Sequence, residues 1–205
     1  MIPGQALSTL VVEGDFLPPR NRRKQPLEDY ELGGVALNDA SQGLQVYEWR
    51  GRYVDGSVVL DVPGVVAPVT VLTVPGVTEF SFSFDQNMSP VVAYMLGDGS
   101  AHFYWFDSTI PGFTTLDLAS GVRSPRCSLD DKRAVSGVTS GASDVILTYL
   151  RDDALYFRAQ RDRYATEYKL ELPPAFANFN LSRWKLGQFG MGNGLRMLWQ
   201  LVPDA

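Results

Sequence analysis

From Gly43 onward the chain repeats one pattern: a short run of β-branched and aromatic residues, a tight polar turn, then a second such run. Phe80, Ser81, Phe82, Ser83 and Phe84 are its clearest case. A period of two puts the three phenylalanines on one face of a strand and the two serines on the other, so the phenylalanine face is expected to line the core. Residues 44–50 and 58–62 flank a turn at Val54, Asp55, Gly56 and Ser57, which reads as a first hairpin. Residues 91–96 and 101–106 flank Gly97, Asp98, Gly99 and Ser100 as a second. Between them, Pro63-Gly64 and Pro75-Gly76 bracket a strand over residues 69–74.

The hairpins recur. The stretch from Ser83 through residues 91–96 to Phe103, Tyr104 and Trp105 has the same order of parts as the stretch from Ser128 through residues 145–150 to Leu155, Tyr156 and Phe157. The second copy carries extra residues, most of them in the small, polar loop 136–143. A fainter third unit spans residues 184–201, with Asn193-Gly194 as its turn signal. With Ile146 and Tyr149 added to Phe80, Phe82, Phe84, Val92, Tyr94 and Leu155 as core residues, the expected fold is all-β: repeated hairpin or meander units forming a partial or irregular β-propeller-like domain, with a β-sandwich as the alternative. A chain of 205 residues with 19 glycines, 13 prolines and 12% aromatic residues suits many strands joined by tight turns in a single domain, residues 31–205.

Residues 1–30 differ from the rest. Pro3, Pro18, Pro19 and Pro26 exclude a continuous helix, and Arg20, Arg22, Arg23 and Lys24 gather in the run PPRNRRKQP, residues 18–26. Glu13, Asp15, Glu28 and Asp29 offset that charge locally. Leu10, Val11, Val12, Phe16 and Leu17 are too apolar for a solvated tail, so the segment is expected to be an extended assembly arm contacting a neighbouring subunit.

The formal net charge of −5 argues against nucleic acid as a partner, and no run is long and apolar enough for membrane insertion by a helix. A soluble product made in a cytoplasm is the expectation. Cys127, the single cysteine, excludes an internal disulfide and is read as a small buried residue. His102, the single histidine, is taken to exclude a Ser-His-Asp or His-Cys site as well as a two-histidine metal site, so it is read as a structural imidazole. The pairs Asp130-Asp131 and Asp152-Asp153 are read as turn and strand-end residues, because adjacent side chains on a strand point to opposite faces. The glycines 190, 192 and 194 precede no helical pattern and form no phosphate loop. No catalytic residue, cofactor or metal is expected. Trp49, Trp105 and Trp184 are the residues on which a glycan-binding reading would rest.

The most unusual charge pattern lies at the end of the third hairpin. Continued as a strand, it would put Arg158, Gln160, Asp162 and Tyr164 on one face and Ala159, Arg161 and Arg163 on the other, neither face being cleanly apolar. Arg158, Arg161, Asp162, Arg163 and Tyr164 are therefore candidate interface or strand-bracing residues, a solvated edge strand being the plainer reading.

The phrases GLQVYEW (43–49), FSFDQNMSP (82–90), SPRCSLDDKR (124–133), DVILTYL (144–150) and LYFRAQRDRY (155–164) resemble those of tail and tail-tip proteins of tailed-bacteriophage virions. The resemblance covers roughly residues 35 to 200 and brings no catalytic residues. It implies a structural component of a phage tail, assembled in the bacterial host cytoplasm: a tail-tip, collar, adaptor or fibre-attachment part built from several copies. Its partners would be other copies of itself and neighbouring tail proteins. The alternative is a carbohydrate-binding module for host surface glycans.

Overall fold

The computed structural model describes residues 28–36, 44–85, 87–130, 144–172, 174, 179–188 and 195–203. Three antiparallel meanders follow one another along the chain. Sheet A contains β1 (Glu28–Ala36), β2 (Leu44–Val54), β3 (Ser57–Val62) and β4 (Val66–Thr73). Sheet B contains β5 (Val77–Phe84), β6 (Pro90–Leu96), β7 (Ala101–Asp107) and β8 (Gly112–Asp117). Sheet C opens with the same meander, β9 (Arg123–Asp130), β10 (Asp144–Arg151), β11 (Ala154–Ala159) and β12 (Tyr168–Glu171). The hairpin of β13 (Phe179–Gln188) and β14 (Leu195–Pro203) joins its β9 edge where Arg196 pairs with Asp130. A 3-10 turn lies at Gln160–Asp162.

Turn chemistry sets these meanders. Asp55 and Gly56 join β2 to β3, and Asp152 and Asp153 join β10 to β11, all four with positive φ. Two such residues in succession give a two-residue loop whose twist matches that of the flanking strands. This is the turn role expected for Asp152-Asp153. At Pro63-Gly64 the Val65 N–H donates to the Val62 carbonyl at 2.9 Å and Gly64 has a φ of 78°, so proline and glycine occupy the positions a type II turn requires.

Sheet B is the middle layer. On one face Phe80, Phe82, Phe84, Val92 and Tyr94 pack with Val58 and Leu60 of sheet A. On the other, Val91, Ala93, Phe103 and Trp105 pack with Cys127, Val145, Leu147 and Tyr149 of sheet C. Leu150, Leu155, Phe157 and Leu181 then join the far face of sheet C to β13. The protein is all-β, and sheets A and B and the β9–β12 part of sheet C have the up-and-down order of a propeller blade. Face-to-face stacking of these layers makes an irregular, sandwich-like arrangement that closes into no barrel among the described residues. The expected core residues lie in it, except that Ile146 is only partly buried, at the margin of the third cluster.

Two features exceed the sequence reading. Ser81 and Ser83 are as buried as the phenylalanines between them, because sheet C covers their face. Their small side chains let β9 come close: the Cys127 N–H donates to Ser81 Oγ at 3.1 Å, and its thiol reaches the Ser81 carbonyl at 3.5 Å. Gly51 crosses the phenylalanine face on the other side, where a β-carbon would stand 2.7 Å from the Phe82 ring and 2.9 Å from that of Phe80.

Candidate functional site

The charged stretch after β11 does not continue as a strand. Gln160–Asp162 form the 3-10 turn, and Arg163 and Tyr164 follow with φ of 58° and 60°. The expected alternation of faces is therefore absent. The turn drives Tyr164 back into the core, where its ring meets Phe103 at 4.5 Å and Trp105 at 5.0 Å, both edge-on. Arg163 reaches Asp107 at the end of β7, tying sheet C to sheet B. Arg158, at the end of β11, donates to Tyr149 Oη at 3.1 Å, to the Tyr164 carbonyl at 2.8 Å and to Glu167 at 3.2 Å. Asp162 accepts the Thr166 N–H at 3.2 Å, and Arg161 is exposed. Of the five residues singled out here, Arg158, Arg163 and Tyr164 thus join parts of the same chain.

Glu167 is the centre of this cluster. Arg151 donates to it from two nitrogens, at 2.8 and 3.1 Å, Arg158 adds a third bond, and the Tyr149 hydroxyl a fourth. Burial pushes the Glu167 carboxyl up, but the hydrogen bonds from Arg151 and Tyr149 and the charges of both arginines outweigh it and leave the group below its ordinary value of 4.5. Burial, with Glu167 beside it, pushes the Tyr149 hydroxyl up to about 12. The Arg151 guanidinium also lies 4.0 Å over the Tyr156 ring. Arginine charge, carboxylate and hydroxyl all serve one another, which makes the cluster a brace for sheet C.

A second ion pair, Arg126 with Glu79, also joins sheets C and B. With Arg163 and Asp107 it gives that junction charged contacts at two places, one between β9 and β5 and one from the turn after β11 to β7. Asp107 keeps a lowered carboxyl pKa: burial raises it, and hydrogen bonds from Thr109 and Arg163 more than offset this.

Among the described residues sheet A ends on an unpaired edge. β4 pairs only with β3 among the described residues, and its Ala67, Pro68, Val69 and Thr70 are exposed in succession. Val65 is 61% exposed and Val69 52%. No charged residue occurs between Asp61 and Glu79. Edge strands are ordinarily guarded by charge, proline or bulges; this one carries no charge, and its guards are Pro68 and the two register irregularities of its pairing with β3.

The chain matches no known protein family, no curated protein and no solved structure. Function has to be read from this geometry.

His102 links a serine to an aspartate after all. Its Nδ1 lies 2.8 Å from Asp117 Oδ1 and its Nε2 3.0 Å from Ser100 Oγ, so one histidine suffices for such an array, contrary to the expectation from the sequence. Its surroundings are those of a turn brace. Ser100 Oγ donates to Asp98 at 2.7 Å, and the N–H groups of Gly97, Gly99 and Ser100 are committed to Gly76, Leu96 and Asp98. None of the three remains to stabilise an oxyanion, as acyl transfer requires. The hydrogen bonds from Ser100 hold the Asp98 carboxyl below its ordinary value. A structural imidazole, as expected, is what the geometry supports, with Tyr94 stacked on it at 5.1 Å.

The remaining candidates fall as follows. Cys127 is fully buried, as expected. Trp105 is buried, and Trp49 is half-buried against Phe84 at 4.9 Å. The Trp184 side chain lies outside the described residues, as do Leu10, Val11, Val12, Phe16, Leu17, Asp131 and the Asn193-Gly194 turn. Asp130 closes β9 opposite Asp144. Among the described residues no group of three His, Cys, Asp or Glu side chains is placed to hold a metal ion, and no helix is long and apolar enough to cross a membrane. Sequence reasoning missed Glu167, the centre of the largest charged cluster; its signal was a lone glutamate four residues after Arg163, which nothing local distinguishes.

Proposed function

We propose that the protein is a structural component of a bacteriophage tail that acts by protein-protein assembly and carries out no catalysis. The observation that carries this reading is β4: an outer strand that pairs only with β3 among the described residues, carries no charge and exposes valines is a template for pairing with another chain. The charged cluster around Glu167 fits the same role, since it spends its groups on rigidity. The phrases that resemble phage tail proteins supply the setting, with other copies and neighbouring tail proteins as partners. Assembly is favoured over glycan binding through Trp49 or Trp105 because Trp105 is buried and Trp49 is half-buried.

Val69→Lys tests the assembly role by placing a charge on the exposed face of the β4 edge. The parent should self-associate in analytical ultracentrifugation as concentration rises, and the variant should remain monomeric with an unchanged circular dichroism spectrum. A parent that stays monomeric both alone and with its purified tail neighbours would remove the proposal.

A further inference from the structure

From Tyr53 to Val122 the chain contains no lysine or arginine and seven carboxylates. Most are occupied. Asp61 takes Arg50 and Arg52, Glu79 takes Arg126, Asp107 takes Arg163, and Asp85 caps its own turn through the N–H groups of Asn87 and Ser89. Asp55 lies in the β2–β3 turn, and Asp98 and Asp117 lie beside the outer margin of sheet B; among the described residues none of these three meets an arginine or lysine, Asp98 accepting from Ser100 and Asp117 lying 2.8 Å from His102. Asp117 has its side chain 83% exposed.

The register places flat rings next to Asp98 and Asp117. His102 pairs with Asp117, Tyr104 with Thr115 and Phe106 with Phe113, so these side chains share one face of β7 and β8. The Tyr104 and Phe113 rings are parallel within 3° at 4.8 Å, Phe106 meets Phe113 edge-on at 5.4 Å, and Phe113 is 45% exposed. Sheet A covers the inner strands of this face and leaves this outer strip open. One exposed ring, Phe113, with the half-buried Tyr104 and Phe106 behind it and carboxylates that meet no arginine or lysine beside it, suits a ligand that is extended, cationic and able to stack. Guanidinium groups do both, and proline-rich peptide is already extended when free, so ordering it costs little entropy.

The chain itself contains such a ligand. Residues 18–26, PPRNRRKQP, hold four cations and no anion. They end just before Glu28, where β1 begins opposite Arg52, and the adjacent Gly51 lies against the Phe80 and Phe82 rings. From Phe80 the register runs through Tyr94 and His102 to Asp117. Three strand spacings cover about 14 Å, whereas nine residues in the polyproline conformation span about 28 Å. A segment of that length is long enough to reach the strip from the start of its own β1.

We infer that residues 18–26 dock on the β7–β8 strip of their own chain as an extended strap, with their cations on Asp98 and Asp117 and their prolines against Phe113 and Tyr104. The inference is independent of the assembly role, since it concerns contacts within one chain.

Limited trypsin digestion of the full-length protein tests it, because Arg20, Arg22, Arg23 and Lys24 are cleavage sites. Cleavage there should be at least about tenfold slower than in a free peptide of the same sequence, as expected for a site that must undock first. Protection should not change with protein concentration, should fall at high salt, and should be lost in Asp98→Asn/Asp117→Asn and in Phe113→Ser, with their circular dichroism unchanged. Carbodiimide treatment of the parent, which needs no variant to fold, should join Lys24 to Asp98 or Asp117 within one monomer. Cleavage at the free-peptide rate in the parent overturns the inference. So does protection that grows with concentration, which would assign the strip to a second copy, or a crosslink found only in dimers. Ultracentrifugation of the carboxylate variant separates this outcome from the assembly role, since its association should match that of the parent.

Discussion

At the scale of single residues, the most exacting contact is that of Gly51 with the phenylalanine ladder. β2 runs so close to sheet B that only a hydrogen fits over Phe80 and Phe82. Gly51→Ala should cost about 1–3 kcal/mol through overpacking, and Phe82→Ala about 3–5 kcal/mol through the cavity left by a fully buried ring. Chemical denaturation checks both; equal midpoints for Gly51→Ala and parent would show that sheet A is free to shift. Glu167 makes a prediction of a different kind. Its carboxyl is held below 4.5, so the stability it gives is complete above that pH and is lost as the pH falls through the lowered native pKa. The melting temperature of the parent should exceed that of Glu167→Gln near neutral pH, and the gap should shrink as the pH falls below 4.5 and through the lowered native pKa. A gap that holds constant on acidification would mean that ionisation of Glu167 contributes nothing. These residues show different degrees of legibility. Phe82 is announced by its alternation with serine, whereas Gly51 and Glu167 matter through partners far along the chain, which no local window of sequence contains.

At the scale of elements, strands and turns were largely readable, because a period of two and Asp-Gly or Pro-Gly dipeptides are local signals. The third hairpin was readable up to Ala159 and no further. Gln160–Asp162 turn where a strand was expected because burying Tyr164 between Phe103 and Trp105, on a different sheet, outweighs the cost of left-handed backbone at Arg163 and Tyr164. The buried serines of β5 were misread for a related reason: alternation gives the two faces of a strand, but only the layer order tells whether both are covered. The turn also separates the roles of its two arginines. Arg163→Ala leaves Asp107, a buried carboxylate, without its cation, and should lower the melting temperature without changing association. Arg161 is exposed, and Arg161→Ala should instead affect association if the turn touches a neighbour. Should the two variants melt and associate alike, the bond to Asp107 contributes little and the turn is an ordinary exposed corner.

At the scale of the whole molecule, stacking leaves unequal margins. Sheet B has both faces used and sheet C gains β13, while sheet A ends on an apolar, uncharged edge strand. The chain also carries Leu10, Val11, Val12, Phe16 and Leu17, apolar residues ahead of β1. An extended peptide that pairs with a free edge buries its backbone polar groups and its apolar side chains together, and between copies this forms a head-to-tail contact that can close into a ring. Because β1 begins at Glu28, deletion of residues 1–27 removes the arm while sparing sheet A, a cleaner cut than at residue 30. The shortened chain should keep its β content and shift towards monomer in analytical ultracentrifugation, as Val69→Lys should. If it unfolds, the segment belongs to the core of its own subunit. If it keeps the oligomeric state of the parent, β4 must find its partner elsewhere, and the arm is a linker.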